Sequence, residues 1–233
     1  MERISVLFEN EEILVVNKPF GLAVQGGKGV GRSLDDELSA QVGYRVHLVH
    51  RLDKDTSGIL VVAKNTQSAA KWTSLIGGGL VKKQYMAVCT GEPYSGGTGK
   101  GKIETSVTAH GKVQSALTYF TVEKRTSVAV ETEGGLKEIP LFLLKLELGT
   151  GRMHQLRIQL AGARSPIAAD DQHGDFKTNK LLRKAGIKKL QLAAVCLNLK
   201  VPGVPEKIEI PLPFHMQETL EKYFGYVNNG VIK

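Results

Sequence analysis

Short apolar runs bounded by turn-forming residues dominate the sequence and predict β-strands. Leu144, Leu146 and Leu148 alternate with charged neighbours, which is typical of a strand with one buried face. The run ILVVA at 59–63 is β-branched and too short for a helix. The predicted strands are 13–16, 22–24, 59–63, 84–91, 103–108, 115–122, 142–148, 190–201 and 207–213.

Helical spacing appears in four other segments. Ser33 is a candidate N-cap, since Asp35 and Asp36 follow in the first turn and Gly43 ends the segment. Three apolar residues at positions i, i+3 and i+7, Met153, Leu156 and Leu160, predict a short helix. The remaining helices are predicted at 65–75 and 216–224.

These elements predict a single mixed α+β domain over 1–233, with a mostly antiparallel, bent sheet flanked by helices. No internal repeat, low-complexity tract or linker divides the chain.

Composition indicates a folded, soluble protein with an affinity for polyanions. Hydrophobic residues make up 42% and charged residues 23%, which excludes a disordered chain. The net charge of +8 favours nucleic acid as a partner, although a merely basic enzyme remains open on charge alone. No apolar stretch is long enough to span a membrane and no signal peptide is recognisable, so we expect a cytoplasmic protein.

Several common chemistries are disfavoured. GGTGKGKI at 96–103 has the spacing of a phosphate-binding loop, but Ile103 replaces the residue that would bind magnesium, and a strand pattern follows it. The six histidines form no zinc-protease pair, and no serine lies in a nucleophile elbow. The two cysteines have no zinc spacing, so no metal is expected.

The segment LVHRLDKDTSG concentrates charge immediately before the apolar run at 59–63. An aspartate beside a guanidinium stays ionised and is available as a nucleophile, which makes Asp53 and Asp55 candidates. Arg51 is nearby in sequence, and His154 and Arg157 are spaced to share a helical face. A salt-bridged, capped turn without catalytic function is the alternative reading of the same residues.

Four segments together are specific for one known family. In chain order they are LVHRLDKDTSGILVVAK, KKQYMAVCTG, GTGRMHQLRIQLA and PIAADDQHGDF. By these motifs the chain closely resembles the RluA family of RNA pseudouridine synthases, and most nearly its bacterial ribosomal large-subunit branch. The likeness extends from about residue 11 to about residue 224. It implies the pseudouridine synthase catalytic fold and isomerisation of uridine in structured RNA, without cofactor or metal.

The resemblance also implies roles for individual residues. Asp53 corresponds to the family's catalytic aspartate, Tyr85 to the aromatic residue that packs on the target base, and Arg157 to the arginine that pairs with the aspartate. Arg152 is the competing choice for that arginine, and Arg51 corresponds to a residue that holds the flipped RNA open. Further expected RNA contacts are His50, Thr56, Lys82, Lys83, Arg152, His154 and Gln155.

Several expectations about partners follow. Ribosomal RNA is the first expected substrate and transfer RNA the second, and the protein is expected to be a monomer without the N-terminal RNA-binding module that relatives often carry. Ala169 and Ala193 stand where the family usually has glycine and histidine, which bears on substrate choice rather than on activity. The alternative to an enzyme is a catalytically idle RNA-binding or ribosome-assembly factor with the same fold.

Overall fold

The structure, a computed structural model, describes residues 3–27, 31–109 and 112–226. These residues form two compact units. The first contains the described residues up to 83 together with 193–213, and the second contains 84–192 and 214–226. The extent of the predicted single domain, 1–233, stays a prediction.

Ten strands and five helices lie in the described ranges. The strands are β1 (Ser5–Glu9), β2 (Ile13–Lys18), β3 (His47–Leu48), β4 (Ser57–Ala63), β5 (Val81–Cys89), β6 (Lys100–Ala109), β7 (Lys112–Thr132), β8 (Gly135–Leu148), β9 (Leu192–Leu199) and β10 (Lys207–Glu209). The helices are α1 (Leu34–Val42), α2 (Thr66–Gly77), α3 (Gln155–Gly162), α4 (Phe176–Lys184) and α5 (Phe214–Phe224). None of these helices is both long and apolar enough to cross a membrane.

The first unit is built around two buried strands. β2 pairs antiparallel with β1 and with β4, and β4 continues the sheet by a parallel pairing with β9. Trp72 of α2 is completely buried against this sheet, and its indole N–H donates to Glu12 Oε2 at 2.9 Å. Asn65 caps the same helix by accepting from the Ser68 N–H. The apolar faces of β2, β4 and α2 therefore form the core of this unit.

Gly58 allows β4 and β9 to approach each other closely. It has a φ of +118°, and a Cβ atom at this position would lie 2.0 Å from the carbonyl oxygen of Ala194. Any side chain would therefore push β9 away from the strand that follows the Asp53 loop. The close approach of β9 within the first unit therefore explains why the TSG motif has a glycine at position 58.

The second unit contains an antiparallel sheet in the order β5-β8-β7-β6. β7 and β8 are long, and they pair from Thr132↔Gly135 to Thr118↔Leu148. Helices α3, α4 and α5 all pack against β7. Within the two units, every described strand pairing other than β4–β9 is antiparallel, so the predicted α+β class with a mostly antiparallel sheet is confirmed.

Two predicted elements are wrong in detail. Residues 22–24 do not continue a strand; Ala23 makes only an isolated bridge with Ser33, because the Lys18 ammonium binds the Leu22 carbonyl oxygen. The helix predicted from Met153 begins at Gln155, since His154 has a left-handed φ of 52°. Met153 is consequently 53% exposed instead of lying on an apolar helix face.

Candidate active site

Asp53 lies in the loop that joins β3 to β4. The N–H of Thr56 donates to the Asp53 carbonyl oxygen at 3.1 Å, which closes a tight turn immediately before β4. Every residue of β4 is buried, whereas Asp53 is half-buried. The sequence therefore places the carboxylate at the end of a rigid, buried strand, as a positioned reactive group requires.

Lys18 fixes this loop, although sequence reasoning did not identify it. Its side chain is completely buried, and its three ammonium N–H groups can all be satisfied by backbone carbonyl oxygens. These belong to Pro19 at 2.9 Å, Leu22 at 2.8 Å and Lys54 at 3.0 Å. Burial lowers the pKa of Lys18 to about 7, while the charges of Asp55 and Asp53 oppose that decrease. The buried Lys18 side chain thus binds the backbone between the two aspartates. The Lys18-Pro19 turn was the only sequence signal for it.

Three residues that lie within four positions of Asp53 in the sequence each have a buried polar side-chain atom without a hydrogen-bond partner among the described residues. The atoms are His50 Nδ1, Thr56 Oγ1 and Ser57 Oγ. His50 Nε2 accepts from the Val61 N–H at 3.0 Å, and burial together with the charge of Lys83 holds the pKa of His50 well below its ordinary value. His50 is therefore neutral, and its accepting Nε2 requires the hydrogen to be on Nδ1. Unsatisfied buried groups are costly, and a ligand that bonds to them would repay the cost.

Tyr85 lies on β5 in the second unit and is 5% exposed. It is in register with Leu146 of β8, which is opposite Phe120 of β7. Residues in register on neighbouring strands point to the same face of a sheet. The tyrosine ring therefore lies on the face that also carries Leu146 and Phe120.

Helix α3 is bound to that same face by Gln159. Thr118, two residues before Phe120 on β7, donates to Gln159 Oε1 at 2.6 Å. The amide Nε2 of Gln159 donates to the carbonyl oxygens of Ala116 at 2.8 Å and Ile103 at 3.1 Å, and to the Thr105 hydroxyl at 3.0 Å. Since α3 carries Arg157, the sheet brings Tyr85 and the Arg157 helix to one face.

Gln155, an expected RNA contact, is 3% exposed and is already fully hydrogen-bonded within the protein. Its Oε1 accepts from the Thr150 hydroxyl and from the Arg152 N–H, at 2.7 and 3.0 Å. Its Nε2 donates to the Leu117 carbonyl and to the Thr118 hydroxyl, at 3.0 and 3.1 Å. Gln155 thus fixes the start of α3, and its contact with RNA stays a prediction.

Arg157 forms a buried, bidentate ion pair with Asp170, a residue that sequence reasoning missed. Nε donates to Oδ2 at 2.8 Å and Nη2 to Oδ1 at 2.7 Å, and the side chains are 6% and 1% exposed. Nη2 also donates to Gln172 Oε1 at 3.1 Å. Burial by itself would raise the pKa of Asp170, but hydrogen bonds from Arg157 and from the N–H groups of His173 and Gln172 outweigh it and lower the pKa. The guanidinium is therefore held charged and in a fixed orientation.

The loop that carries Asp170 is itself held by α4. Asn179 donates from Nδ2 to the Asp170 carbonyl at 2.8 Å and accepts from the Ala169 N–H at 3.0 Å. Ala169 has a φ of 58°, and a Cβ on Gly174 would lie 2.4 Å from the Asp170 carbonyl oxygen. Asp170 lies in the AADDQHG segment, which is part of one of the four family motifs. That motif was the sequence signal for the Asp170 loop, although it did not predict the ion pair with Arg157.

His154 is the N-cap of α3, with a φ of 52°, and so it precedes the helical face it was expected to share with Arg157. Its Nδ1 shares a hydrogen bond of 2.9 Å with Nε2 of His173, and the two rings meet edge to face. The N–H of His173 donates to Asp170 Oδ1 at 3.1 Å. His154 is thereby joined to the same network as Arg157.

The remaining expected RNA contacts differ in their exposure. Arg51, Lys82 and Arg152 are exposed, and the Arg152 Nε donates to the Ser115 carbonyl at 3.4 Å. Lys83 is half-buried, and burial lowers its pKa. In the first unit, the Lys18 charge acts on Asp53, and His50, Thr56 and Ser57 lie within four residues of Asp53 along the chain. In the second unit, Tyr85 and the helix that carries Arg157 lie on one face of the sheet. A contact of Asp53 with Tyr85 or with Arg157 stays a prediction.

Comparisons with known proteins identify the family. The family model described as RNA pseudouridylate synthase matches residues 12–162, a span that includes Asp53, Tyr85 and Arg157. The ribosomal large subunit pseudouridine synthase C of Rickettsia conorii is 33% identical over 92% of this chain and 70% of its own length. The protein of the same name from Salmonella typhimurium is 32% identical over 97% of this chain and 70% of its own length.

The fold gives the same result. The solved structure of human RNA pseudouridylate synthase domain containing 4 superposes with a TM-score of 0.70 at 25% identity, and covers 94% of this chain and 92% of that chain. By sequence and by fold, this chain belongs to the RNA pseudouridylate synthase family, as the resemblance predicted.

Proposed function

We propose that this RNA pseudouridine synthase acts on structured RNA, with ribosomal RNA as its first substrate and transfer RNA as its second, and that Asp53 is the nucleophile. The names of the relatives support ribosomal RNA. The observation that supports Asp53 most directly is its setting, a half-buried residue in the loop that leads into a buried strand, where it interacts electrostatically with Lys18. The proposal places the protein in the cytoplasm as a monomer.

The reaction is an isomerisation in which no atom is gained or lost. The bond between ribose C1′ and uracil N1 breaks, the ring turns, and C1′ forms a bond to C5 of the same ring. C5 then releases its hydrogen as a proton and N1 takes one up. Asp53 attacks either the ring or the ribose carbon, and both routes require the uridine to leave its stack, at a cost of a few kcal/mol that is lowest in loops and bulges.

We assign Tyr85 to the face of the flipped base, where base–aromatic stacking contributes about 1–3 kcal/mol. Arg157 is the better candidate than Arg152 for the partner of Asp53, because Arg157 is buried and held in orientation by Asp170, whereas Arg152 is exposed. An oriented guanidinium in a site that excludes water stabilises a carboxylate far more than an exposed one does. Arg51, Lys82 and Arg152 are assigned to flanking phosphates.

The test compares the wild type with Asp53→Asn on ribosomal RNA isolated from a strain that lacks the protein, with each pseudouridine mapped by position. Asp55→Asn is the matched control, since it removes the same charge from the same loop. We expect the wild type and Asp55→Asn to form pseudouridine and Asp53→Asn to form none. Equal activity of Asp53→Asn would exclude Asp53 as the nucleophile.

The same experiment tests the rival function. If the wild type binds ribosomal and transfer RNA but restores no pseudouridine in either, the protein is an RNA-binding factor. Tyr85→Ala should lose turnover while it keeps salt-dependent RNA binding, and Tyr85→Phe, which retains the stacking face, should keep most of its turnover. Unchanged turnover of Tyr85→Ala would remove this side chain from the pocket.

A further inference from the structure

Helix α4 carries an aromatic residue and three lysines on its outer face. At about 100° per residue, Phe176, Lys177, Lys180 and Lys184 fall within one arc of the helix. Asn179 and Leu182, the buried residues, fall outside that arc. We call the four residues Phe176, Lys177, Lys180 and Lys184 the α4 outer face.

The lysines of this face lack close ion-pair partners among the described residues. None of the three lysines forms an ion pair with a described residue, whereas the neighbouring Arg183 is paired with Asp171. Asp175, the N-cap, has its pKa lowered chiefly by hydrogen bonds with Thr178 and further by the charges of Lys177 and Lys137. Lys137 of β8 thus adds a fourth cation near the start of the helix.

Phe176 distinguishes this face from an ordinary solvated lysine surface. Its side chain is 72% exposed, whereas Leu182 of the same helix is completely buried. A cationic surface with an exposed aromatic ring is the arrangement that binds single-stranded nucleic acid, because a base stacks on the ring while cations contact the phosphates. The net charge of +8 makes a polyanion the complementary partner.

The α4 outer face is rigidly connected to the Arg157 site. Asn179, on the inner side of the helix, bonds to the backbone of Asp170 and Ala169, and Asp170 holds Arg157. An α-helix with its side chains is about 10–12 Å across, so the outer face lies roughly one helix diameter from Asp170. RNA that presents a uridine near Arg157 therefore has flanking nucleotides within reach of α4.

We propose that the α4 outer face docks a single-stranded segment of the substrate RNA that flanks the target uridine. One base stacks on Phe176, and Lys177, Lys180 and Lys184 contact the phosphates on either side. This inference rests on the proposed function for the identity of the RNA, but it concerns a surface that carries no step of the reaction.

The test measures binding of deproteinised ribosomal RNA from the deletion strain, between about 50 and 200 mM salt. The variant Lys177→Gln/Lys180→Gln/Lys184→Gln is compared with Lys71→Gln/Lys200→Gln/Lys207→Gln, which lowers the net charge equally at other exposed positions. With a slope of about 0.7 per neutralised phosphate on single strands, the α4 variant should lower the logarithmic salt slope by about 2 and weaken binding about 100-fold near 0.1 M salt. The control should change both quantities much less.

Phe176→Ala tests the stacking contact separately. It should weaken RNA binding between about five-fold and a hundred-fold without changing the salt slope. In Phe176→Ala and in the triple lysine variant of α4, KM should rise together with Kd. Since all four side chains lie on the surface, circular dichroism and the melting temperature should match the wild type. An unfolded α4 variant would be replaced by the single lysine substitutions, each with about one third of the slope change.

Three outcomes would overturn the inference. The α4 variant and the control could weaken binding equally, Phe176→Ala could bind as the wild type does, or the loss could appear only with intact ribosomal subunits, which would indicate a protein partner. None of these coincides with failure of the proposed function. The proposed function fails if the wild-type protein forms no pseudouridine. In that case, the RNA affinities of the α4 variants and of the control could still be compared.

Discussion

Replacing Asp170 with asparagine should destabilise the protein through the guanidinium it leaves behind. Asp170 Oδ1 accepts three hydrogen bonds, from Arg157 Nη2 and from the N–H groups of Gln172 and His173, whereas Oδ2 accepts from Arg157 Nε. The asparagine carbonyl would keep the position with three donors, so its amide group would face Arg157 Nε. Asp170→Asn therefore removes the neutralising charge and also brings two donors together.

The expected magnitude follows from burial. Arg157 and Asp170 are 6% and 1% exposed, and removal of one partner of such a buried pair typically costs about 3–5 kcal/mol. A domain of ordinary stability has about 5–15 kcal/mol in total, so the variant should remain folded but unfold at clearly lower urea. The loss should be largest near neutral pH. Because the folded-state pKa of Asp170 is lowered, its stabilisation is present above the unfolded pKa of about 3.9 and disappears as the pH falls through the folded value.

A double-mutant cycle of urea unfolding at pH 7, followed by circular dichroism, measures the pair directly. The cycle uses Asp170→Asn, Arg157→Met and the double variant, and we expect a coupling free energy of at least about 2 kcal/mol. Stability should recover in part in the double variant, since no unpaired guanidinium remains. Activity should not recover, because Arg157 itself is gone.

Two results would refute this reasoning. The first is a loss of less than about 1 kcal/mol in Asp170→Asn, which is typical of a solvated surface ion pair and would contradict the burial of this pair. Additive effects of the two single variants would show that the two side chains do not depend on each other. Gln172→Ala is a useful comparison, since it removes only the weaker 3.1 Å contact with Arg157 and should cost less.

Three further predictions concern stability. Gly58→Ala should abolish soluble expression, because its Cβ would lie 2.0 Å from the Ala194 carbonyl oxygen, whereas Gly77→Ala, with no atom within 4 Å, should express and melt normally. Burial holds the pKa of His50 well below its ordinary value, so the unfolded chain binds more protons than the folded chain below about pH 6.5. The free energy of unfolding should therefore fall between pH 7 and pH 5. His50→Gln should show a smaller decrease in urea titrations, and the lowered pKa of His215 accounts for part of what remains. Ala169→Gly should raise the free energy of unfolding by about 0.5–1 kcal/mol, because a φ of 58° is strained for alanine; a lower melting temperature would contradict this.

Local pattern was sufficient for most of the core. The β-branched run at 59–63 is β4, and Ser33 and Asn65 are the N-caps of α1 and α2. Such elements are determined by nearby residues, through side-chain alternation and capping. Helix α4 was missed because most of its residues are charged or polar, so that too few apolar residues remain to show a helical period.

The candidate residues of the site were found by motif, but their supports were not. Lys18 and Asp170 act on groups distant in the chain, as shown by the contacts Lys18–Lys54 and Arg157–Asp170. Nothing in the local sequence shows that a lysine after a strand will be buried, since lysine is almost always exposed. These contacts depend on how strands and helices pack in three dimensions, and local sequence patterns do not predict that packing.

Lys18 and Asp170 each hold a different candidate residue, and this has a consequence for the kinetics. The Asp53 loop is fixed through backbone carbonyl oxygens by the Lys18 ammonium, and Arg157 is fixed through its guanidinium by Asp170. Both supports are completely or almost completely buried, so neither is placed to contact RNA. If the proposed function is right, each support orients one charged group before the base binds, and such preorganisation stabilises the transition state. Loss of either support should therefore lower kcat while the affinity for RNA, set by exposed lysines and aromatic residues, stays close to that of the wild type.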